Sequence, residues 1–256
     1  MNRRVLLSLA AATAFATTGA IVSSLGPAGS VVKADAHAKC TGLPNSAALK
    51  GFLVAAPGFG GNAGGLFGGA RMWGAVVNRN GELCSVSASM ADPTQVWPGS
   101  QAIAKAKAYT GNAFSLDTLA LSTAQLYTFT QPGHSLWSLG QSNLFNSEFL
   151  SAPGRAGIRE GDDRIAGGLI FFGGGVPLYD AGGKIVGGLG ISGDTSCTDH
   201  EIAKRVRTLA GLNFTPTSDD ISYSSVDLAS VFTHPLCPNT WRNGVFIGNE
   251  APAAGY

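Results

Sequence analysis

The sequence predicts an α/β fold of the α+β kind, an antiparallel sheet of hairpins flanked by helices. Two strand pairs are each joined by a short Asn-, Asp- and Gly-rich turn, which antiparallel neighbours allow and parallel ones do not. Helical patterns lie between and after the hairpins rather than after every strand. The 256 residues, 45% of them hydrophobic, suffice for a sizeable core.

The chain opens as an export signal. Arg3 and Arg4 form a basic start, and an apolar run from Val5 to Ala16 continues weakly to Val22. The next charged residue is Lys33. Asn2-Arg3-Arg4-Val5-Leu6-Leu7 looks like a twin-arginine signal, and both the Sec and Tat routes fit. Small-x-small sites end at Ala36 and Ala38, which makes residues 1–38 the signal. An uncleaved anchor fits less well, because Thr, Ser and Gly interrupt the apolar run. The mature chain is therefore expected in the periplasm or outside the cell, with no membrane span.

Residues 39–71 read as a short helix, Ser46 to Ala55, capped from Asn45 or Ser46 and ended by Pro57, followed by a glycine-rich loop. The glycines of residues 58–69 suggest mobility. A phosphate-cradling loop would need a lysine in G-x-x-x-x-G-K-[ST], which is absent.

Residues 72–211 carry the main domain. Met72 to Val77 and Leu83 to Ser89 form a hairpin about the Asn-Gly turn at Asn80 and Gly81. Ser100 is placed to cap a helix over Gln101 to Ala113. A second helix is expected over Asp117 to Phe129, with Ser122 and Gln125 as a partial capping box. His134 to Leu150 is irregular, and Ser151 to Arg164 is a charged, solvated loop. Val176 to Tyr179 and Lys184 to Ser192 make the second hairpin around Asp180-Ala181-Gly182-Gly183. Thr198 and Glu201 then fit a capping box for a helix that stops at Gly211, with Ile202, Ala203, Val206 and Leu209 as its apolar stripe. Residues 212–256 read as a polar, proline-bearing tail with no core of its own.

Gly188 and Gly190 leave one face of the last strand bare between Val186 and Ser192. Something approaches that backbone closely. A packed helix or neighbouring subunit is one reading; a flat ligand is the other.

Charged residues make up only 13% of the chain and the net charge is +1. No basic patch calls for nucleic acid. The uncharged, small-residue surface suits a homo-oligomer. Cys40, Cys84, Cys197 and Cys237 are even in number, which favours disulfides in an exported protein, and four cysteines allow three pairings. No C-x-x-C pair exists to suggest zinc or redox chemistry.

Three passages stand out together: W-P-G-S-Q-A-I-A-K-A-K-A-Y-T-G-N-A-F-S over residues 97–115, Q-P-G-H-S-L-W-S-L-G-Q-S-N over 131–143, and G-G-V-P-L-Y-D with G-L-G-I-S-G-D-T over 174–195. They resemble the motifs of the GlcG/HbpS-like haem-binding family over about residues 72–210. The resemblance implies a profilin-like layered fold, oligomeric assembly and a haem or related tetrapyrrole ligand. A secreted carrier, sink or sensor module follows from it, with a sensor or redox protein as a further partner. A haem-degrading or haem-dependent redox enzyme is the alternative, and a structural oligomer with a vestigial pocket the third reading. It also implies pairing of Cys197 with Cys237 and of Cys40 with Cys84.

Related corrinoid-pathway domains ligate haem through a histidine on the N-terminal helix, and Ser46 to Ala55 contains none. The remaining candidates for iron are His134, Tyr109 and Met90, with Thr110 a weak oxygen donor. Lys105 and Lys107 are candidates to meet haem propionates, a solvated helix face being the alternative. His37 falls with the signal. His200 reads as a neutral capping or surface residue, and His234 as packing for the tail. Asp194, Asp199 and His200 could hold a metal, although helix capping accounts for the two carboxylates at lower cost.

Overall fold

The computed structural model describes residues 39–153 and 165–252. The export signal with Arg3 and Arg4, and most of the charged loop, lie outside the described residues. Among those described, three α-helices and a four-stranded sheet build the domain: α1 (Ser46–Ala55), β1 (Trp73–Asn78), β2 (Leu83–Ala88), α2 (Ser100–Ala113), β3 (Gly175–Tyr179), β4 (Ile185–Ser192) and α3 (Ser196–Leu209). The sheet order is β2-β1-β4-β3, with every neighbour antiparallel.

Alternation along the strands sorts side chains into two layers. Val76, Val176, Leu178, Leu189 and Ile191 face Leu49 and Leu53 of α1 and Ile202, Ala203 and Val206 of α3. Trp73, Ala75 and Val77 face Ala104 and Ala108 of α2. Helices therefore cover both faces, two on one side and α2 on the other.

The bare face of β4 belongs to α2. A Cβ on Gly190 would overlap Ala104 O and Ala108 N, and one on Gly188 would overlap Ala108 O. Gly111 answers from the helix, where a Cβ would stand 3.0 Å from the Val176 backbone. Helix and sheet meet backbone to backbone, so the packed-helix reading holds and a flat ligand has no room there.

The second predicted helix does not form; residues 117–129 are irregular, apart from the start of a 3-10 turn over Thr128–Thr130. Gln125 does accept from the Ser122 N–H, the return arm of a capping box, but the next amide, Thr123, donates to Gly175 O. Tyr179 Oη donates to Leu116 O and Leu119 O, and Asp117 accepts from the Ile185 N–H. These bonds to the β3–β4 hairpin take the groups a helix would pair internally.

Two caps differ from expectation. Gly99 precedes the first residue of α2, Ser100, without a side-chain cap bond. Thr195, not Thr198, caps α3 by accepting from the Thr198 N–H. The helix begins earlier because Asp199 accepts from the Gly193 and Asp194 amides and tightens the entering turn.

The glycine-rich segment is clamped. Arg205 donates to the carbonyls of Ala56, Pro57, Gly61 and Asn62 while pairing with Glu201 at 3.1 Å. Asp194 accepts from the Leu66, Phe67 and Gly69 amides. Composition suggested mobility; two buried charges 11 residues apart hold the segment instead.

Disulfides join Cys40 to Cys84 and Cys197 to Cys237, with Cα–Cα distances of 5.7 and 6.0 Å. The first ties the approach to α1 onto β2. The second ties the tail to the first turn of α3. The tail carries short strands β5 (Ser222–Tyr223) and β6 (Thr233–His234), paired in parallel, and the hairpin β7 (Thr240–Arg242) with β8 (Val245–Gly248). Ile221, Tyr223 and Cys237 pack with Ala124 and Cys197 in a small shared cluster.

Candidate functional site

The loop after residue 130 builds an open apolar cleft. Pro132 and Gly133, the latter at φ 85°, turn the chain so that the His134 N–H donates to Gln131 O. Trp137 then donates to His134 O, and Ser138 at φ 67° redirects the chain into a 3-10 turn, Leu139–Ser142. The loop is closed by the Asn146 N–H donating to Ala166 O, and its return arm is fixed by the Ile170 N–H donating to Thr110 Oγ1 on α2. Trp137, Leu139, Leu144, Leu169 and Phe171 line a cleft of about 370 Å³, with Thr130 and Gln141 as polar points. That volume is within the range of small-molecule sites, roughly 300–1,000 Å³. Phe171 is braced edge-on by Phe114, ring centroids 6.5 Å apart. Trp137 is 53% exposed and Leu144 79%, an unusual display of apolar surface.

The sequence candidates scatter around this cleft. His134 is exposed on the turn that bears Trp137, outside the lining. Tyr109 is half-buried on α2 and packs over Gly81. Thr110 is buried, donates to Ala106 O and accepts from Ile170. Met90 is half-buried against the α2 side of the sheet. None of Trp137, Leu169 and Phe171 stands out in the sequence as a site residue, although W-S-L-G inside a polar, irregular segment marks Trp137 and the apolar run L-I-F-F over residues 169–172 contains the other two.

The two lysines are not a solvated helix face. Lys105 is buried, donates to Gln101 Oε1 at 3.0 Å and Phe149 O at 2.6 Å, and burial lowers its pKa to about 8. Lys107 is fully buried, 2.7 Å from Asp199, donates also to Ile191 O and lies 4.7 Å from the centre of the Phe172 ring. Burial pushes Asp199 up to about 6 and Lys107 down, while each partner's charge opposes the shift. The Gly193 and Asp194 amides also favour the carboxylate, and the Lys107–Asp199 contact ties α2, β4 and α3 together.

The metal reading of Asp194, Asp199 and His200 fails on their partners. Both carboxylates already accept backbone amides or Lys107. His200 is neither surface nor cap: it is buried, with both ring nitrogens lacking hydrogen-bond partners among the described residues, and desolvation lowers its pKa to about 4. Asp220 lies 3.7 Å away. His234 is also buried, which lowers it to about 4.

A second groove, about 420 Å³, runs along α3 beside the tail. Its cations are already paired: Arg207 with Asp219, Arg205 with Glu201, Lys204 with Asp220. An anion would have to displace a carboxylate there. Among the described residues, the apolar cleft is lined by no carboxylate.

A helix packed on a glycine-bare antiparallel sheet, with a loop-built apolar cleft at its side, defines an α+β domain with a candidate ligand site on its loop side. The sequence model described as haem degrading protein HbpS-like matches residues 66–207, and the chain belongs to that family. No curated protein sequence matches. Among solved structures, the PduOC:heme complex is similar over 64% of this chain and 89% of that one, at 21% identity and TM-score 0.44. ORFY of Klebsiella pneumoniae overlaps 55% of this chain and 75% of its own, at 21% identity and TM-score 0.40. A double mutant of Streptomyces reticuli HbpS overlaps 78% and 97%, at 19% identity and TM-score 0.36.

Proposed function

We propose that the protein is an exported haem- or tetrapyrrole-binding protein that acts as a carrier, sink or sensor module. The observation that carries this reading is the Trp137–Phe171 cleft, formed by the loop motif of an HbpS-like chain. A flat apolar macrocycle suits its lining: two aromatic rings and three leucines cover the faces, and the mouth is open to water for charged substituents. His134, on the rim turn, is the proposed iron ligand; Lys105, buried and already donating to Gln101 and Phe149, would instead hold α2 in place beside the cleft. Thr110 acts as a positioning residue through Ile170, and Tyr109 supports the same helix. Haem held there would supply an iron that exchanges ligands and electrons; Trp137, Leu169 and Phe171 would hold the macrocycle and exclude water from it.

Export is supported by the N-terminal signal pattern and by two disulfides. No helix among the described residues is long and apolar enough to cross a membrane. The exposed Leu144 and Leu150 support a homo-oligomer. The family's description favours one second reading, oxidative haem breakdown.

Hemin titration of the purified mature protein tests the proposal. Saturable growth of a shifted Soret band at micromolar hemin is expected; a featureless, non-saturating titration contradicts it. Adding ascorbate or peroxide separates the two readings, since an enzyme would bleach the band faster than free hemin bleaches.

A further inference from the structure

The Cys197–Cys237 disulfide lies in surroundings suited to a second state. One ring nitrogen of His234 and the two sulfurs lie within 4.8 Å of one another, and all three residues are buried. Their sequence spacing gives no hint of this, because Cys197 and Cys237 stand 40 residues apart. We propose that, once reduced, Cys197 and Cys237 form with His234 a site for a zinc-like divalent cation.

His234 is already set as a ligand. Its Nδ1 lies 2.7 Å from Pro235 O, and only an N–H pairs with a carbonyl, so Nδ1 carries the proton. The lone pair is then on Nε2, the arrangement that a carbonyl behind a metal-bound imidazole enforces. Nε2 accepts from the Gly173 N–H at 3.4 Å, a bond the metal would replace, and faces Ser196 Oγ at 3.5 Å; the same hydroxyl stands 3.2 Å from Cys237 Sγ. Ser196 thus bridges the imidazole and the sulfur, and it or a water takes the fourth corner of a tetrahedron.

The sulfurs are equally prepared. The Cys197 N–H, in the first turn of α3, donates to Cys237 Sγ at 3.2 Å. A thiolate formed there is stabilised by that amide and by the helix N-terminus. Ligands around one tetrahedral zinc lie about 3.3–3.8 Å apart. The sulfurs must therefore separate by about 2 Å and the imidazole approach slightly, movements of side-chain rotation rather than of refolding. Two thiolates and a cation of charge two leave the buried site neutral, and a sulfur-nitrogen donor set selects zinc over magnesium or calcium.

The chemistry balances with a dithiol as reductant. The dithiol passes two electrons and two protons to the disulfide; the Cys197–Cys237 bond breaks and the dithiol closes to its own disulfide. Zinc then displaces both thiol protons to solvent, forming two sulfur–metal bonds and one bond to Nε2. The tail stays fastened to α3 in either state, covalently when oxidised and through the metal when reduced.

Cobalt(II) titration under anaerobic conditions tests this. A phosphine, itself converted to its oxide with oxygen taken from water, replaces the dithiol because a dithiol would compete for the metal. The reduced protein is expected to bind one cobalt with thiolate-to-cobalt charge-transfer and tetrahedral ligand-field bands, which zinc abolishes. Cys40→Ser with Cys84→Ser should keep the bands, and Cys237→Ser should remove them. His234→Gln retains the disulfide for folding and should bind cobalt about tenfold more weakly or worse once reduced. Absence of the bands in the reduced wild type, whether its circular dichroism is kept or lost, overturns the proposal. So does an unchanged cobalt affinity in His234→Gln.

Discussion

The two sides of α2 use the family motifs in opposite ways. Where α2 meets β4, Gly188 and Gly190 let backbone touch backbone and leave no space. Beside the loop at 131–143, Trp137 and Leu144 stand in solvent around an open cleft. Two of the three signature passages are absorbed by packing, and only the loop passage remains free for chemistry. Glycines in a strand therefore mark the closest approach of backbone, not of ligand, in this chain.

Substitutions separate the two sides. Gly190→Val drives side-chain carbons into Ala104 and should cost about 3 kcal/mol or more. Chemical denaturation reads this out, and a cost near zero would mean that α2 does not seat on the sheet as described.

A comparable loss is expected on acidification. His200 and His234 are held near 4 in the fold but rise to about 6.5 when unfolded. The unfolded chain binds the extra protons, so their stabilising contribution is complete above pH ~6.5 and drains as pH falls towards ~4. His200 alone accounts for about 3 kcal/mol. Asp199, pushed up to about 6, works in the opposite direction over ~6 to ~4 and blunts the fall. Denaturation midpoints across this range check the sign, and His200→Phe should flatten the slope.

Removing the clamp tests the ordered glycine-rich segment. Arg205→Met leaves Glu201 with Lys204 as its remaining ion partner and strips the Ala56, Pro57, Gly61 and Asn62 carbonyls of their donor; it should cost about 2 kcal/mol, with faster amide exchange confined to residues 56–69. Uniformly faster exchange along the whole chain would contradict a local clamp.

The smallest effect on stability belongs to the cleft. Trp137→Ala should change the free energy of unfolding by no more than about 0.5 kcal/mol, since the ring is half in solvent.

Both hairpins were legible from alternation and turn residues, as were α1 and the stripe of α3, because these signals are local. The segment at 117–129 looks helical in the sequence because Ser122 and Gln125 do form part of a cap, while Gly175 and Tyr179 of β3, far away in sequence, decide the outcome by bonding Thr123, Leu116 and Leu119. Lys107 looked solvent-facing because its partner Asp199 lies 92 residues away. The clamp on the glycine-rich segment depends on Arg205, more than 140 residues downstream. The cleft is half legible: the loop passage is visible in the sequence, but His134 is its only residue with obvious chemistry, whereas the apolar rings that shape the cavity carry no such signature until Leu169 and Phe171 are brought beside Trp137.

Hemin affinity of Trp137→Ala against Gly188→Ala compares the two sides directly. The cleft account predicts at least about a tenfold loss for Trp137→Ala with stability intact, and for Gly188→Ala a loss of stability with unchanged affinity in the folded fraction. Equal affinity in wild type and Trp137→Ala, or a selective loss of affinity in Gly188→Ala, would contradict the placement of the ligand in the cleft.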